Sequence, residues 1–259
     1  MRYLVAAYTD AGILKEINQD SFVVRRAEYA GGEILMAAIC DGMGGLSKGE
    51  LASAVVIREF DRWFDEKLPS ALTLHDIRAV AADWVHKLEV LNIKLSRYGG
   101  SNNCQLGTTF TGMLFIGGEY IIVHVGDTRA YRIDTSIRQL TEDQTFVARE
   151  VRNGNMTEQQ AKNDSRRNIL LQCVGACESV TPQVLFGRGE EGGYMLCSDG
   201  FRHNVSEEEM YTAFSAAFNS GKEAMNTALC DIGGLVKARG ERDNITALLI
   251  KAMQGENDD

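Results

Sequence analysis

Proline is nearly absent from this chain, two residues in 259 against an ordinary share of ~5%, so no proline-rich linker divides it. Long apolar runs are missing too. The longest, residues 34–40, falls far short of the ~20 residues that a membrane-spanning helix needs. The N-terminus carries one early charge, Arg2, then a short apolar stretch and no credible cleavage site, so neither export nor anchoring is expected. Basic blocks are lacking: 27 lysines and arginines stand against 36 aspartates and glutamates, a net charge of −9. Such a chain has no electrostatic footprint for nucleic acid or for an anionic lipid surface. Clustered zinc ligands are lacking as well. The six cysteines (40, 104, 173, 177, 197 and 230) are scattered, and the closest pair has C-x3-C spacing without a histidine beside it. Reduced thiols packed as small hydrophobes are expected, in a cytoplasmic protein.

What is present is glycine, 26 residues against an ordinary ~7%, and 44% hydrophobic residues. Many turns and few stiff linkers predict a single domain over 1–259. Short segments rich in β-branched or aromatic residues, bounded by Gly, Asp and Asn, predict strands at 3–8, 21–26, 34–40, 108–115, 120–125, 130–133, 194–197 and 245–251. Gly117-Gly118 reads as a hairpin turn. Gly187-Arg188-Gly189-Glu190-Glu191-Gly192 has the spacing of a dinucleotide loop. It leads into a strand and carries two glutamates, so it reads as a hairpin loop instead. Two helices are predicted from apolar stripes, one with Ala52, Val55, Val56, Phe60, Trp63 and Phe64, the other running from Leu74 and Ile77 through Trp84 to Leu95. Ser47-x-x-Glu50, Thr73-x-x-Asp76 and Ser206-x-x-Glu209 have the form of capping boxes. Consecutive helices among hairpins predict antiparallel sheets with helices packed outside them.

Aspartates recur at predicted strand ends beside glycine or asparagine: Asp20, Asp41, Asp127, Asp199 and Asp243. Singly, each is an ordinary turn former. Gathered at one sheet end, such carboxylates would repel one another and hold their protons unless a cation neutralised them. An all-oxygen set suits a hard ion, Mg2+ or Mn2+. The glycines after Asp41 permit positive φ and a close approach of a backbone carbonyl. His124, on an apolar strand background, reads as a core histidine.

In chain order, seven segments carry a resemblance: Lys15-Glu16-Ile17-Asn18-Gln19-Asp20-Ser21, Asp41-Gly42-Met43-Gly44-Gly45, Gly107-Thr108-Thr109, Val125-Gly126-Asp127-Thr128-Arg129, Leu140-Thr141-Glu142-Asp143, Cys197-Ser198-Asp199-Gly200 and Asp243-Asn244-Ile245-Thr246. Together they resemble the metal-dependent type-2C protein serine/threonine phosphatases, the PPM family, of bacterial type. The resemblance implies an α+β fold, a four-layer α-β-β-α sandwich of two antiparallel β-sheets flanked by helices. It implies hydrolysis of phosphoserine and phosphothreonine monoesters by a water bridged between two divalent ions, Mn2+ or Mg2+. Asp41 would bridge both ions, with the Gly42 carbonyl on one of them. Asp199 and Asp243 would hold the other, and Asp20 would hold metal-bound water.

Three departures from the family pattern stand out. Lys15 replaces an arginine that grips the substrate phosphate, giving a point charge in place of a bidentate fork. Met43 stands where many animal members have a histidine, so the leaving-group proton must come from a metal-bound water. His203 stands where a third-metal aspartate is often found, which leaves Asp127 and Asp199 as candidates for a third ion. The resemblance also places a flap-like insertion at about 145–167, where Arg149, Arg152, Arg166 and Arg167 are read either as a solvated helix face or as helping to select phosphorylated segments. Expected partners are phosphorylated proteins and a cognate serine/threonine kinase, with the chain a stand-alone monomer. The alternative is a catalytically weak or inactive pseudophosphatase that docks phosphoproteins; a further variant aims the same chemistry at one phosphoserine regulator.

Overall fold

The computed structural model describes all residues except 30–31, 44–47, 75 and 256–259, and only the backbone of 73 and 74. The expected cap at Ser47, the glycines at 44 and 45 and the acidic tail therefore lie outside the described residues. So do the side chains of Thr73 and Leu74. The elements run β1 (Arg2–Asp10), β2 (Asp20–Tyr29), β3 (Gly32–Asp41), α1 (Gly49–Glu66), α2 (Leu68–Leu74), α3 (Ile77–Asn102), β4 (Phe110–Ile116), β5 (Glu119–Val125), β6 (Arg129–Ile133) and β7 (Ile137–Gln139). They continue with α4 (Phe146–Arg152), α5 (Glu158–Asn163), β8 (Gln183–Arg188), β9 (Gly192–Cys197), α6 (Asp199–Arg202), α7 (Glu207–Ser220), α8 (Lys222–Ala238) and β10 (Ile245–Met253).

The apolar run at 34–40 becomes the centre of β3, and the two-residue period of a strand sends alternate side chains to opposite faces. Leu35, Ala37 and Ile39 enter one buried cluster, while Ile34, Met36, Ala38 and Cys40 enter another. A strand apolar on both faces has to be covered on both, and this one is. On one side a second sheet packs against it, and Leu35 and Phe115 share a core with Tyr194, Leu196, Leu248 and Ile250. On the other side lie α1 and α3, whose Phe60 stacks on Phe110 at 4.2 Å between ring centroids and whose Trp63 and Trp84 meet edge to face at 5.4 Å.

Both sheets have five strands and are antiparallel, in the orders β2-β3-β4-β5-β8 and β1-β10-β9-β6-β7. The outer face of the second sheet is covered by α7 and α8 through Phe214, Met225, Leu229 and Val236. The layers therefore run helix, sheet, sheet, helix, as the family resemblance implies. Among the described residues, no helix is long and apolar enough to cross a membrane.

Several local expectations need correction. The segment from Gly187 to Gly192 is no hairpin: β8 pairs with β5 and β9 with β6 and β10, so the loop carries the chain from one sheet to the other. The N-cap of α3 is Asp76, whose carboxylate accepts from the amides of Arg78 and Ala79, and not Thr73, which belongs to α2. Two short edge strands, β7 and β8, had no strong sequence signal. Gly117 and Gly118 do form the β4–β5 turn, both with positive φ.

The box at Ser206 forms in both directions: its hydroxyl accepts from the Glu209 amide, and the Glu209 carboxylate accepts from the Ser206 amide. Ser206→Ala is expected to cost about 1 kcal/mol. Calorimetry should read this as a fall of roughly 2–4 °C in the melting midpoint for a chain of this size.

Candidate active site

Asp20 opens β2 and Asp41 closes β3, and the strand register sets the two directly opposite one another. In the facing sheet, Asp199 follows β9 and Asp243 precedes β10, and these two strands are also neighbours. Four aspartates from two sheets thus share one end of the sandwich. Burial pushes the Asp41 carboxyl well above the ordinary range, and Asp20, Asp199, Asp127 and Asp243 push it further by like-charge repulsion. Asp20 is driven up to about 7, again by burial first, with Asp199 and Asp243 adding to it. The Ser198 and Thr246 hydroxyls beside it offset this only in part. Ser198 Oγ accepts from the Thr246 amide at 3.0 Å, and Thr246 Oγ1 lies 2.9 Å from Thr9 Oγ1. Both carboxylate oxygens of Asp20, and Asp199 Oδ1, are left buried without a hydrogen-bond partner.

The surrounding motif residues hold these carboxylates in place through the backbone. The Asp41 amide donates to Thr109 Oγ1, and its carbonyl accepts from the Thr109 amide and from Thr108 Oγ1, all at 2.9 Å. Asn18 Oδ1 accepts from the Asp20 amide at 3.0 Å, while its side-chain amide donates to Thr9 Oγ1 at 2.8 Å. Asn244 clamps the loop that carries Lys15. Its Oδ1 accepts from the Gln19 amide, and its Nδ2 donates to the carbonyls of Ala11 and Ile17. Gly42 is needed for close approach and not for a left-handed φ: a Cβ there would lie 2.4 Å from the Gly49 carbonyl oxygen and 2.6 Å from that of Gln19. Asp20 also lines a groove of about 470 Å3 between β2 and α1, together with Thr9, Asn18 and Arg58.

The departures from the family pattern acquire positions. Lys15 Nζ lies 3.1 Å from Asp243 Oδ1, with both side chains about one-third exposed at the rim. His203 stands between two acids, its Nε2 3.7 Å from Asp199 Oδ2 and its Nδ1 3.9 Å from Glu241 Oε2. The other Glu241 oxygen accepts from the amides of Arg242 and Asp243, so Glu241 shapes the turn that presents Asp243. Met43 takes part through its backbone, donating its amide to the Gly107 carbonyl at 3.0 Å. His124 is a satisfied core residue bonded to Thr111 and the Glu142 carbonyl, and burial lowers it to about 4, so it is neutral at pH 7.

Asp127 behaves differently from the other aspartates. Burial and Asp199 drive it up to about 7, but the Arg202 guanidinium opposes them. Arg202 Nη2 donates to the Asp127 carbonyl at 3.1 Å, and lies 3.8 Å from its Oδ2 and 3.5 Å from Asp143 Oδ2. Asp143 is gripped in turn by Arg129 through two bonds of 2.8 Å. Neither Arg202 nor Glu241 stands out in the sequence. The available signal for Arg202 was a cation three residues after Asp199, one helical turn away.

In the segment 145–167, Arg149 pairs with Glu150, Arg152 with Glu142 and Arg166 with Asp164, and Arg149 and Arg166 lie over the ring of Phe146. Arg167 donates to the Lys162 carbonyl.

Among the described residues, no three His, Cys, Asp or Glu side chains already close around a single point. The donor chemistry nevertheless fits hard cations. The buried, partnerless oxygens are carboxylate oxygens, and the repulsion between them is of the kind that divalent charge removes.

Comparisons with known proteins agree with this geometry. The family model described as protein phosphatase 2C matches residues 14–232. The chain is 33% identical over 215 residues to the serine/threonine protein phosphatase PstP of Mycobacterium tuberculosis; the match covers 82% of this chain and 38% of that longer relative. It is 30% identical over 253 residues to the serine/threonine phosphatase stp of Listeria innocua, covering 94% of this chain and 93% of the relative. Among solved structures, the serine/threonine phosphatase Stp1 of Staphylococcus aureus superposes with a TM-score of 0.84 at 25% identity, covering 98% of this chain and 96% of the other. The catalytic domain of PstP, solved with two manganese ions, superposes with a TM-score of 0.75 at 26% identity over 97% of this chain and 99% of the other. With its motifs assembled at one end of two packed sheets, the chain belongs to the protein phosphatase 2C family.

Proposed function

We propose that this chain hydrolyses phosphoserine and phosphothreonine monoesters of phosphorylated proteins, with two divalent cations, Mn2+ or Mg2+, and that its work opposes a serine/threonine kinase. The observation that carries the reading is the set of buried, partnerless oxygens on Asp20 and Asp199 amid mutually repelling aspartates. Asp41 and the Gly42 carbonyl would hold one ion, and Asp41, Asp199 and Asp243 the other, with Asp20 holding water beside them. When bound, two such ions supply an activated water nucleophile and offset charge on the phosphoryl oxygens.

The protein's own groups do the rest. Thr108 and Thr109 fix the Asp41 backbone, and Asn18 and Asn244 fix the loop from Ala11 to Asp20, so the carboxylates are positioned before substrate arrives. Lys15, whose ammonium pairs with Asp243 at the partly exposed rim, would be free to meet a phosphoryl oxygen if Asp243 served a cation. Met43 offers no proton to the leaving alkoxide, so that proton comes from water. The binding-only alternative gains no specific observation, because all four core aspartates are in place.

Phosphate release from a phosphoserine peptide and from p-nitrophenyl phosphate tests the reading, with chelator-treated protein and increasing Mn2+. Turnover of both substrates should appear only with the metal. Lys15→Ala should raise KM for the peptide about tenfold, worth ~1.4 kcal/mol, and Lys15→Arg should restore it. Mn2+ binding without any phosphate release would sink the assignment.

A further inference from the structure

Asp127, Asp143, Arg129 and Arg202 form a second charged group beside the core aspartates, and its make-up bears on how many cations the site takes. We infer that the Arg202 guanidinium stands where a third cation would be needed, so that Asp127 is held by the protein and the site takes two ions. This inference rests on the phosphatase reading above.

The geometry is direct. Arg202 contacts both the carbonyl and the carboxylate of Asp127, and both side chains are only 10% exposed. A buried arginine survives only among acceptors, and Arg202 has two carboxylates, Asp127 and Asp143, the second shared with Arg129. Its short helix α6 starts at Asp199, so the strand end that presents Asp199 also fixes the arginine. The remaining candidate for a third site, Asp199, has His203 against its Oδ2.

Charge accounting points the same way. Asp20, Asp41, Asp199 and Asp243 carry four negative charges, which two divalent ions match. Asp127 and Asp143 carry two more, which Arg129 and Arg202 match. A third divalent ion at Asp127 would face a guanidinium already in contact with that carboxylate, with Arg129 close behind, and like charges at such range in a buried setting are strongly unfavourable. Unlike an ion, an arginine neither dissociates nor loses its proton at any physiological pH. The positive charge beside Asp127 is therefore independent of metal supply.

The test is calorimetric titration of chelator-treated protein with Mn2+, with bound metal counted by elemental analysis. Wild type should bind two equivalents, and Asp127→Asn should also bind two. Arg202→Ser frees the Asp127 carboxylate and should gain a third equivalent, which the Arg202→Ser/Asp127→Asn double variant should lose. A drop of one equivalent on Asp127→Asn, from three to two or from two to one, would overturn the inference, as would a folded Arg202→Ser that stays at two. If Arg202→Ser does not fold, Asp127→Asn, which keeps the shape of the side chain, decides alone. An Asp41→Asn control separates the two levels of the argument. Wild type that binds no Mn2+, or whose binding is untouched in Asp41→Asn, removes the phosphatase reading itself.

Discussion

Asp41→Asn is expected to lower Mn2+-dependent turnover by about 10³-fold or more, on phosphopeptide and p-nitrophenyl phosphate alike, while raising the melting temperature of the metal-free protein. The two effects have one cause. Asp41 is the carboxylate on which the other four converge: burial and repulsion from Asp20, Asp199, Asp127 and Asp243 all raise its proton affinity. An amide of the same shape removes that repulsion, and the bonds to Thr108 and Thr109 survive because the main chain of residue 41 makes them. Without metal, the variant should be the more stable protein. With metal, it would lack the negative charge proposed to hold both ions, and a loss of about 4 kcal/mol of transition-state stabilisation corresponds to roughly 10³ in rate. Steady-state kinetics at saturating Mn2+, with calorimetry in chelator, checks both halves. Retained turnover would displace Asp41 from the site, and a lower metal-free melting point would mean that its charge is stabilised by partners.

A second large effect is expected in the pH dependence of metal stabilisation. In the metal-free folded chain Asp20 titrates near 7 and Asp41 above the ordinary range, whereas both carboxyls start from 3.8 when unperturbed. Between about pH 4 and 7 the folded chain holds protons that the unfolded chain has lost. These groups therefore favour folding at low pH, and that contribution disappears as the pH rises through the folded value. A cation must displace the same protons, so its binding is opposed at pH 5 and unopposed at pH 8. At a thousandfold excess over Kd, one bound ion contributes about 4 kcal/mol, and each kcal/mol is roughly 2–4 °C for a chain of this length. Thermal unfolding with Mn2+ against chelator should show a gain of roughly 10 °C at pH 8 and little at pH 5. Comparing the two conditions at each pH cancels His124, which titrates away from the site. Equal gains at both pH values would show that these aspartates do not exchange protons for metal.

Much of the site was legible in the sequence because its chemistry is local. Each core aspartate sits near a glycine or asparagine, and for Asp20 the neighbouring Asn18 holds the backbone itself, whereas Asp41 is held by Thr108 and Thr109 from a separate motif. Antiparallel sheets with helices outside them were legible because α1 and α3 carry one apolar stripe each among hairpin-like strands, while the four layers were implied by the family resemblance. What escaped depends on residues brought together from afar. Arg202 meets Asp127 and Asp143 from 59 or more positions away, and no spacing rule reports such a contact. Glu241 looks like one more surface acid until its two oxygens are seen holding the Asp243 turn and facing His203. Strand β7 has three residues and β8 six, and neither has a fully buried position, so neither shows a core-facing apolar alternation. The loop from Gly187 to Gly192 was misread because turn residues mark a change of direction without saying which sheet the next strand joins. Thr73 lost the cap to Asp76 because both fit a capping pattern, and only the helix start at Ile77 chooses between them.

The pairing of β1 with β10 has a consequence for synthesis. The first and last of the described strands are hydrogen-bonded along their whole length, from Arg2 opposite Met253 to Asp10 opposite Ile245. Of the described strands a ribosome delivers β10 last, and until then β1 has no neighbour in its sheet. The nascent chain would already carry Asp20 and Asp41, yet Ser198 would lack Thr246 and the loop bearing Lys15 would lack Asn244. Such a chain would have the letters of the site without its geometry, and under the proposed function it would be inert toward phosphoproteins while still being translated. The geometry of the candidate site is completed when β10 takes its place between β1 and β9.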